Sequence, residues 1–289
     1  MHLHESELIL NEDGSIYHLN LKPEHVAKDI IFVGDQDRVE KITTHFDQIE
    51  CSIQKREFKT QTGTYKGKRI SVISTGIGPD NIDIVLNELD ALFNIDLSTR
   101  KVKSELTQLN IVRVGTSGAL QKDIKVDDFV LSTHGLDLNG MLHFYEQNNL
   151  GNPAIEEAFI SHTNWTTNKA KPLVISNSIS LQNRFKDDTI HLGITATAGG
   201  FYGPQGRVLR IPLADKSLNS KIDSFRFNDN RITNLEMETS VIYGMAKLLG
   251  HNAVSLSAIL ANRANGTFSK NPGRTVEDLI LFTLNKLIA

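Results

Sequence analysis

Apolar residues along this chain follow two spacings in turn. Residues 29–34 (Asp-Ile-Ile-Phe-Val-Gly) form a short unbroken apolar run closed by glycine, the pattern of a strand buried on both faces. Val39, Ile42 and Phe46 then recur at helical intervals, and 50–60 and 69–75 read as strands on either side of a turn segment at 63–67. Ile82, Leu86, Leu89 and Phe93 share one face of a helix whose expected N-cap is Asp80. Further strands are predicted at 110–115, 128–132, 173–175 and 190–196, with a polar helix over 152–166. Met237, Val241, Met245 and Leu248 mark an amphipathic helix ended by Gly250, 253–261 a buried strand, and Val276, Ile280, Leu284 and Leu287 a terminal helix. Helix and strand alternate with no Pro/Ser linker and no internal repeat, which predicts one α/β domain over residues 1–289 around a shared sheet. The polar stretch 94–108 is weakly periodic and predicts a surface cap between a helix and the next strand.

Composition narrows the function classes. A chain of 289 residues with 39% hydrophobic and 22% charged positions can build a real core, which excludes disordered and low-complexity readings. The formal net charge of −3 supplies no global positive field, so a nucleic-acid partner is not expected. The single cysteine, Cys51, can form neither an intramolecular disulfide nor a cysteine zinc site, and this fits a reducing compartment. The first twenty residues carry acids where a secretory signal carries bases, and no apolar stretch approaches the roughly 20 residues of a membrane span. A cytoplasmic protein without a membrane partner is the expectation.

Candidate chemistry concentrates where glycines follow apolar runs: Val33-Gly34-Asp35, residues 75–79 (Thr-Gly-Ile-Gly-Pro) and residues 113–118 (Arg-Val-Gly-Thr-Ser-Gly). In an open α/β sheet ligands sit beyond the strand carboxyl ends, and glycine lets backbone N–H groups approach an anion. None of these loops is a Walker loop or a dinucleotide fingerprint. Arg113, flanked by Val112 and Val114 inside a strand, must find a partner: a phosphate is the favoured reading, a structural acid the alternative. Arg38 and Arg56, taken alone, read as solvated surface arginines. Glu236 and Glu238 stand at a strand-to-helix junction, where an acid either binds sugar hydroxyls or complements a helix N-terminus. Residues 201–207 (Phe-Tyr-Gly-Pro-Gln-Gly-Arg) combine a ring, an amide and a guanidinium that suit a planar heterocycle, although the segment alone is an ordinary Gly/Pro loop. His2 and His4 lack an acid at ligand spacing, so no metal site is expected there. No GxSxG elbow is present, and no histidine follows Cys51 closely. His251 reads as a helix-terminus residue and Trp165 as packing.

Together these segments, with Arg56-Glu57-Phe58, residues 63–67 and Glu236-Met237-Glu238, resemble in order the nucleoside phosphorylase family and specifically its uridine phosphorylase branch, from about Tyr17 to Arg263. The resemblance implies a single α/β domain with a central mixed, partly barrel-like sheet flanked by helices. It implies dimers that group into hexamers, with active sites at the dimer interface. It implies that Gly34, Arg38, Arg113 and Thr116 bind phosphate, with Arg56 supplied by the neighbouring subunit. Met237 and Glu238 would hold the ribose, and the neighbour's counterpart of His18 would reach the 5′-hydroxyl. Phe201, Gln205 and Arg207 would form the uracil pocket, Arg113 and Arg207 being the catalytic pair. Purine enzymes of the family place an aspartate where this chain has Leu260-Ala261-Asn262-Arg263, so uracil is favoured. The family usually has proline at Gln36. Some bacterial members bind potassium through a glutamate matching Glu57 and a serine whose place Asn81 takes, which counts against potassium. Inorganic phosphate would be the co-substrate, with no metal or other cofactor. The expected activity is reversible phosphorolysis of uridine to uracil and ribose 1-phosphate; the alternatives are a purine phosphorylase or nucleosidase of the same family, and a nucleoside-binding protein without catalysis.

Overall fold

Strand β1 (Asp29–Val33) lies between two parallel neighbours, Lys68–Ser74 and Asn110–Ala119, and packs into a hydrophobic cluster on each face, in a computed structural model that describes residues 3–147 and 149–289. His2 falls outside the described residues. Helix α1 (Gln36–Thr43) follows β1 with Asp35 as its N-cap, the Asp35 side chain accepting from the Asp37 N–H. Strands β2 (Gln48–Lys55), β3 (Phe58–Tyr65) and β4 (Lys68–Ser74) form an antiparallel meander. Here the structure corrects two expectations. The predicted strand 50–60 is broken at Arg56-Glu57, where Arg56 takes a left-handed backbone with φ 55°. The predicted turn at 63–67 is mostly strand, and the chain reverses only at Lys66-Gly67, both of positive φ.

Helix α2 (Pro79–Asn94) starts two residues earlier than expected: Gly78 is its N-cap, and Asp80 lies inside the first turn, where its charge favours the helix dipole. The stretch after it forms a small hairpin, β5 (Ile95–Asp96) with β6 (Lys101–Val102). Then come β7 (Asn110–Ala119), β8 (Phe129–Asp137), α3 (Pro153–Thr163), β9 (Leu173–Ser176), α4 (Ile179–Phe185) and β10 (Ile190–Thr197). The chain closes with α5 (Leu218–Ser224), β11 (Arg226–Phe227), β12 (Asn230–Glu236), α6 (Thr239–Leu249), β13 (Asn252–Asn262), β14 (Thr267–Phe268) and α7 (Pro272–Ile288).

Twelve of these strands belong to one mixed sheet, and five of them, β7, β12, β10, β8 and β13, pair in a ring that closes on itself. Closure rests on a short antiparallel contact, Asn234 against Ala119 and Leu235 against Gly118. A run of hydrogen bonds, the first two buried and the third partly so, links four of the five strands: Ser132 to Thr195 at 2.5 Å, Thr195 to Asn234 at 2.8 Å, and Asn234 to Ser117 at 2.8 Å. The pleat of β1 divides the core. Ile30 and Phe32 pack with α2 and α6, while Ile31 and Val33 pack with α1, α4 and α7. Ile111 lies on the α2 and α6 side, and Arg113, two residues further along the same strand, therefore faces the start of α6. Trp165 packs on Phe159 with ring centroids 5.7 Å apart, as expected of a structural residue. Among the described residues no helix is long and apolar enough to cross a membrane.

Candidate active site

The carboxyl ends of β1, β4, β7 and β12 open into one cleft of about 840 Å³. Because β1 pairs in register with β4 and β7, the turns after Val33 and Ser74 come together: a Cβ on Gly34 would stand 3.5 Å from the Gly76 carbonyl oxygen. The three glycine loops thus line the same cavity, together with Arg38, Arg113 and Thr116.

Arg113 is buried, with Phe32 and Ser255 as its strand neighbours. Its Nη2 lies 2.6 Å from Glu238 Oε2 and 3.1 Å from Glu236 Oε2. The side chain folds back over its own strand, where a Cβ on Gly115 would collide with Nη1 at 1.9 Å. That same Nη1 is buried without a hydrogen-bond partner among the described residues. The structural-acid reading of Arg113 is thus met at one edge of the guanidinium, while the other edge is left without a partner. Arg38 reaches in from α1, its Nη1 donating to the Val114 carbonyl at 3.2 Å. Burial, and then the charge of Arg113, lower the Arg38 pKa, so two cations face one cavity where an anion would relieve both.

Of the two alternatives left open by sequence for these acids, the structure shows one, the complementing of a helix N-terminus, at Glu236. Glu236 complements the α6 N-terminus, accepting from the N–H groups of Glu238 and Thr239 and from the Thr197 hydroxyl. Glu238 accepts from the Gly78 N–H at 2.9 Å and from Arg113, which ties the second glycine loop to the start of α6. The Glu238 pKa is raised, chiefly by burial; Arg113 pulls it down, and the like charge of Glu236 pushes it further up. Met237, between them, lines the cleft half-buried.

At the far end of the cavity Gln205 is buried, held by three contacts. Arg207 Nη1 donates to its Oε1 at 2.6 Å, Arg263 Nη1 to its carbonyl at 2.6 Å, and Asn219 to that carbonyl at 3.1 Å. The Arg207 guanidinium also stacks over the Phe201 ring, 3.8 Å from its centroid. Neither Arg207 nor Arg263 has an acid partner among the described residues, so this end is electropositive and flat. Phe268, an exposed ring of β14 on the cleft wall, and Arg263, which stands behind the wall and holds the Gln205 backbone, are not singled out by the sequence reading. In sequence the segment 260–263 stands out for lacking an aspartate, and the signal for Arg263 is its guanidinium at that strand end.

His18 and Arg56 do not reach this cavity in their own chain. They share a different patch: the Tyr17 and His18 rings meet edge-on with centroids 4.7 Å apart, and the Arg56 guanidinium lies 5.9 Å from the Tyr17 centroid. Gln36, where the family usually has proline, donates to the Arg56 carbonyl at 2.9 Å and so fastens α1 to the Arg56 turn. Glu57 and Asn81 stand at the cleft edge around Gly76. Cys51 is half-buried, its thiol donating to the His25 carbonyl.

The model of the phosphorylase superfamily matches residues 28–282. This chain belongs to that superfamily. A uridine phosphorylase of Thermococcus kodakarensis is 32% identical over 265 residues, 90% of this chain and 82% of that protein. A DeoD-type purine nucleoside phosphorylase of Listeria monocytogenes is 24% identical over 274 residues, 94% of this chain and 98% of that one. Among solved structures, a Trypanosoma brucei nucleoside phosphorylase described as showing uridine phosphorylase activity superposes with a TM-score of 0.88 at 26% identity, covering 97% of this chain and 99% of that one. A uridine phosphorylase of Phytophthora capsici shares the fold, with a TM-score of 0.70 at 19% identity over 100% of this chain and 99% of that one.

Proposed function

We propose that this chain is a uridine phosphorylase, cleaving uridine with inorganic phosphate to give uracil and ribose 1-phosphate. The observation that carries the proposal is the buried Arg113, engaged with two carboxylates at one nitrogen and unpartnered at the other, beside Arg38 in a glycine-walled cleft. Phosphate would sit among Gly34, Arg38, Arg113 and Thr116. Glu238 and Met237 would hold the ribose, with Glu238 accepting from its 2′- and 3′-hydroxyls. Phe201, Gln205 and Arg207 would hold the base.

A phosphate oxygen attacks C1′ as the bond from C1′ to N1 breaks, and the bonding pair leaves with uracil. Positive charge grows on the ribose ring, where the bound dianion stabilises it, and the arginines hold that dianion in line for attack. Negative charge grows on the uracil oxygens, within reach of the Arg207 guanidinium and the Gln205 amide, and the departing uracil takes its proton from solvent. No covalent enzyme intermediate and no cofactor enter the scheme; phosphate is a co-substrate, and potassium is not invoked. The lack of an acid at 260–263 favours uracil over a purine, whose N7 calls for a proton donor there.

The active unit would be a cytoplasmic homodimer, its dimers grouping into hexamers. What supports a shared site is that Arg56 and His18 lie together on one patch outside their own cleft, as required of two groups lent to one neighbour. The test is ultraviolet absorbance with uridine, inosine and thymidine, each with and without phosphate. Phosphate-dependent loss of uridine is expected. Preference for inosine would establish a purine enzyme, cleavage without phosphate a nucleosidase, and binding without turnover a nucleoside carrier.

A further inference from the structure

We infer that Glu88 is a positioning residue, whose carboxylate fixes the His18 imidazole so that Nε2 is presented to the 5′-hydroxyl of a nucleoside bound by a second copy of the chain. This rests on the phosphorolysis reading above. Glu88 lies on α2, 70 residues from His18; three contacts join the two, and a fourth ties Glu88 to Leu19. Both Glu88 oxygens accept from the His18 backbone N–H at 3.0 Å, one accepts from the Leu19 N–H at 2.9 Å, and Oε1 lies 2.6 Å from His18 Nδ1. The Glu88 side chain is only 13% exposed and that of His18 27%.

Packing does not account for an acid at this position, because the apolar stripe of α2 is carried by Ile82, Val85, Leu86 and Leu89. What Glu88 supplies is a set of lone pairs for two adjacent backbone N–H groups and one ring nitrogen. With Nδ1 committed to the carboxylate, the neutral ring carries its proton there, and Nε2 becomes a lone-pair acceptor for a hydroxyl. No hydrogen bond to Nε2 is formed among the described residues. The Tyr17 ring closes one side of the imidazole and borders Arg56, so the clamp also orders the neighbourhood of the second group proposed to cross to the partner. A free histidine would have to freeze its rotamers on each encounter with substrate.

The experiment compares kcat/KM for uridine and for 5′-deoxyuridine, which lacks the hydroxyl, in the wild-type enzyme, Glu88→Gln, His18→Ala and the double variant. The amide keeps the volume but turns an N–H group toward N–H donors. The expected result is a fall of about tenfold in the ratio of uridine to 5′-deoxyuridine for Glu88→Gln, the scale of one charge-assisted bond. The double variant should have no lower a ratio than His18→Ala alone. An equal fall on both substrates, or additive losses in the double variant, would overturn the inference. A second readout needs no variant: nitrogen-15 spectra of His18 in the full-length protein at alkaline pH should show the Nδ1-protonated tautomer, and the Nε2-protonated form would overturn it. Should the wild-type enzyme leave uridine intact, the functional reading fails, and the tautomer still tests the clamp independently.

Discussion

Glu236 and Glu238 are separated by one residue, and a single guanidinium answers both. Well-packed apolar side chains of similar volume would stabilise this core at least as well as a buried ion cluster, so the charges point to a role beyond stability. Arg113→Ala is expected to lose about 3–5 kcal/mol of transition-state stabilisation, a fall of roughly two to nearly four decades in kcat/KM. Near-normal turnover of that variant in the uridine assay would remove Arg113 from the phosphate site. The same cluster sets a pH dependence. Because the Glu238 pKa is raised, its carboxylate stays protonated over a range where an ordinary glutamate is ionised, and as the pH falls it loses its acceptor character sooner. Uridine affinity, measured by calorimetry without phosphate, should therefore weaken on acidification at a pH above the usual glutamate range. Glu236→Gln, which deletes the like charge, should move that acid limb to lower pH. Sequence exposed the need of Arg113 for a partner, since its neighbours are apolar. It could not show that one edge of this planar group meets acids while the other is left without a partner, because that depends on the side chain folding over Gly115.

At the level of elements, periodicity located the buried strands and the long helices well, because each is one continuous face or run: 29–34, the stripe of α2, and α7. It failed where one residue's backbone conformation decides the outcome, as at Arg56, whose left-handed turn no apolar pattern announces. The close approach of β8 to the start of α6 was equally invisible. A Cβ on Gly135 would lie 2.5 Å from Ser240 Cα and 2.8 Å from its nitrogen, so these two elements touch through backbone. Gly135→Ala should push α6 away at a cost of about 1–3 kcal/mol. A lowered denaturant midpoint with an unchanged slope is the expected signature, and uridine turnover should fall with it because Met237 and Glu238 lie at the mouth of that helix. An unchanged midpoint would mean that the helix gives way freely.

For the whole molecule, the resemblance conveyed a mixed, partly barrel-like sheet, and a closed ring of five strands is found within it. The sharing of sites between copies can be tested by mixing. Arg113→Ala and Arg56→Ala are each expected to be nearly inactive, yet a hybrid dimer of the two holds one site with both arginines intact. Random reassociation should recover about a quarter of wild-type activity, since half the dimers are hybrids with one competent site of two. No recovery, with hybrids demonstrated by mass spectrometry, would place each site within a single chain.

The ring's closure also fixes when the enzyme can first exist. Asn234 must find Ser117, 117 positions back along the chain, before the ends of β7 and β12 stand side by side. Contacts so distant in sequence carry a large entropic toll and form late. A polypeptide still leaving the ribosome can thus own several of its helices and the β2–β4 meander while having no reaction mouth. Competence arrives in one late step, when the two halves of the chain clasp.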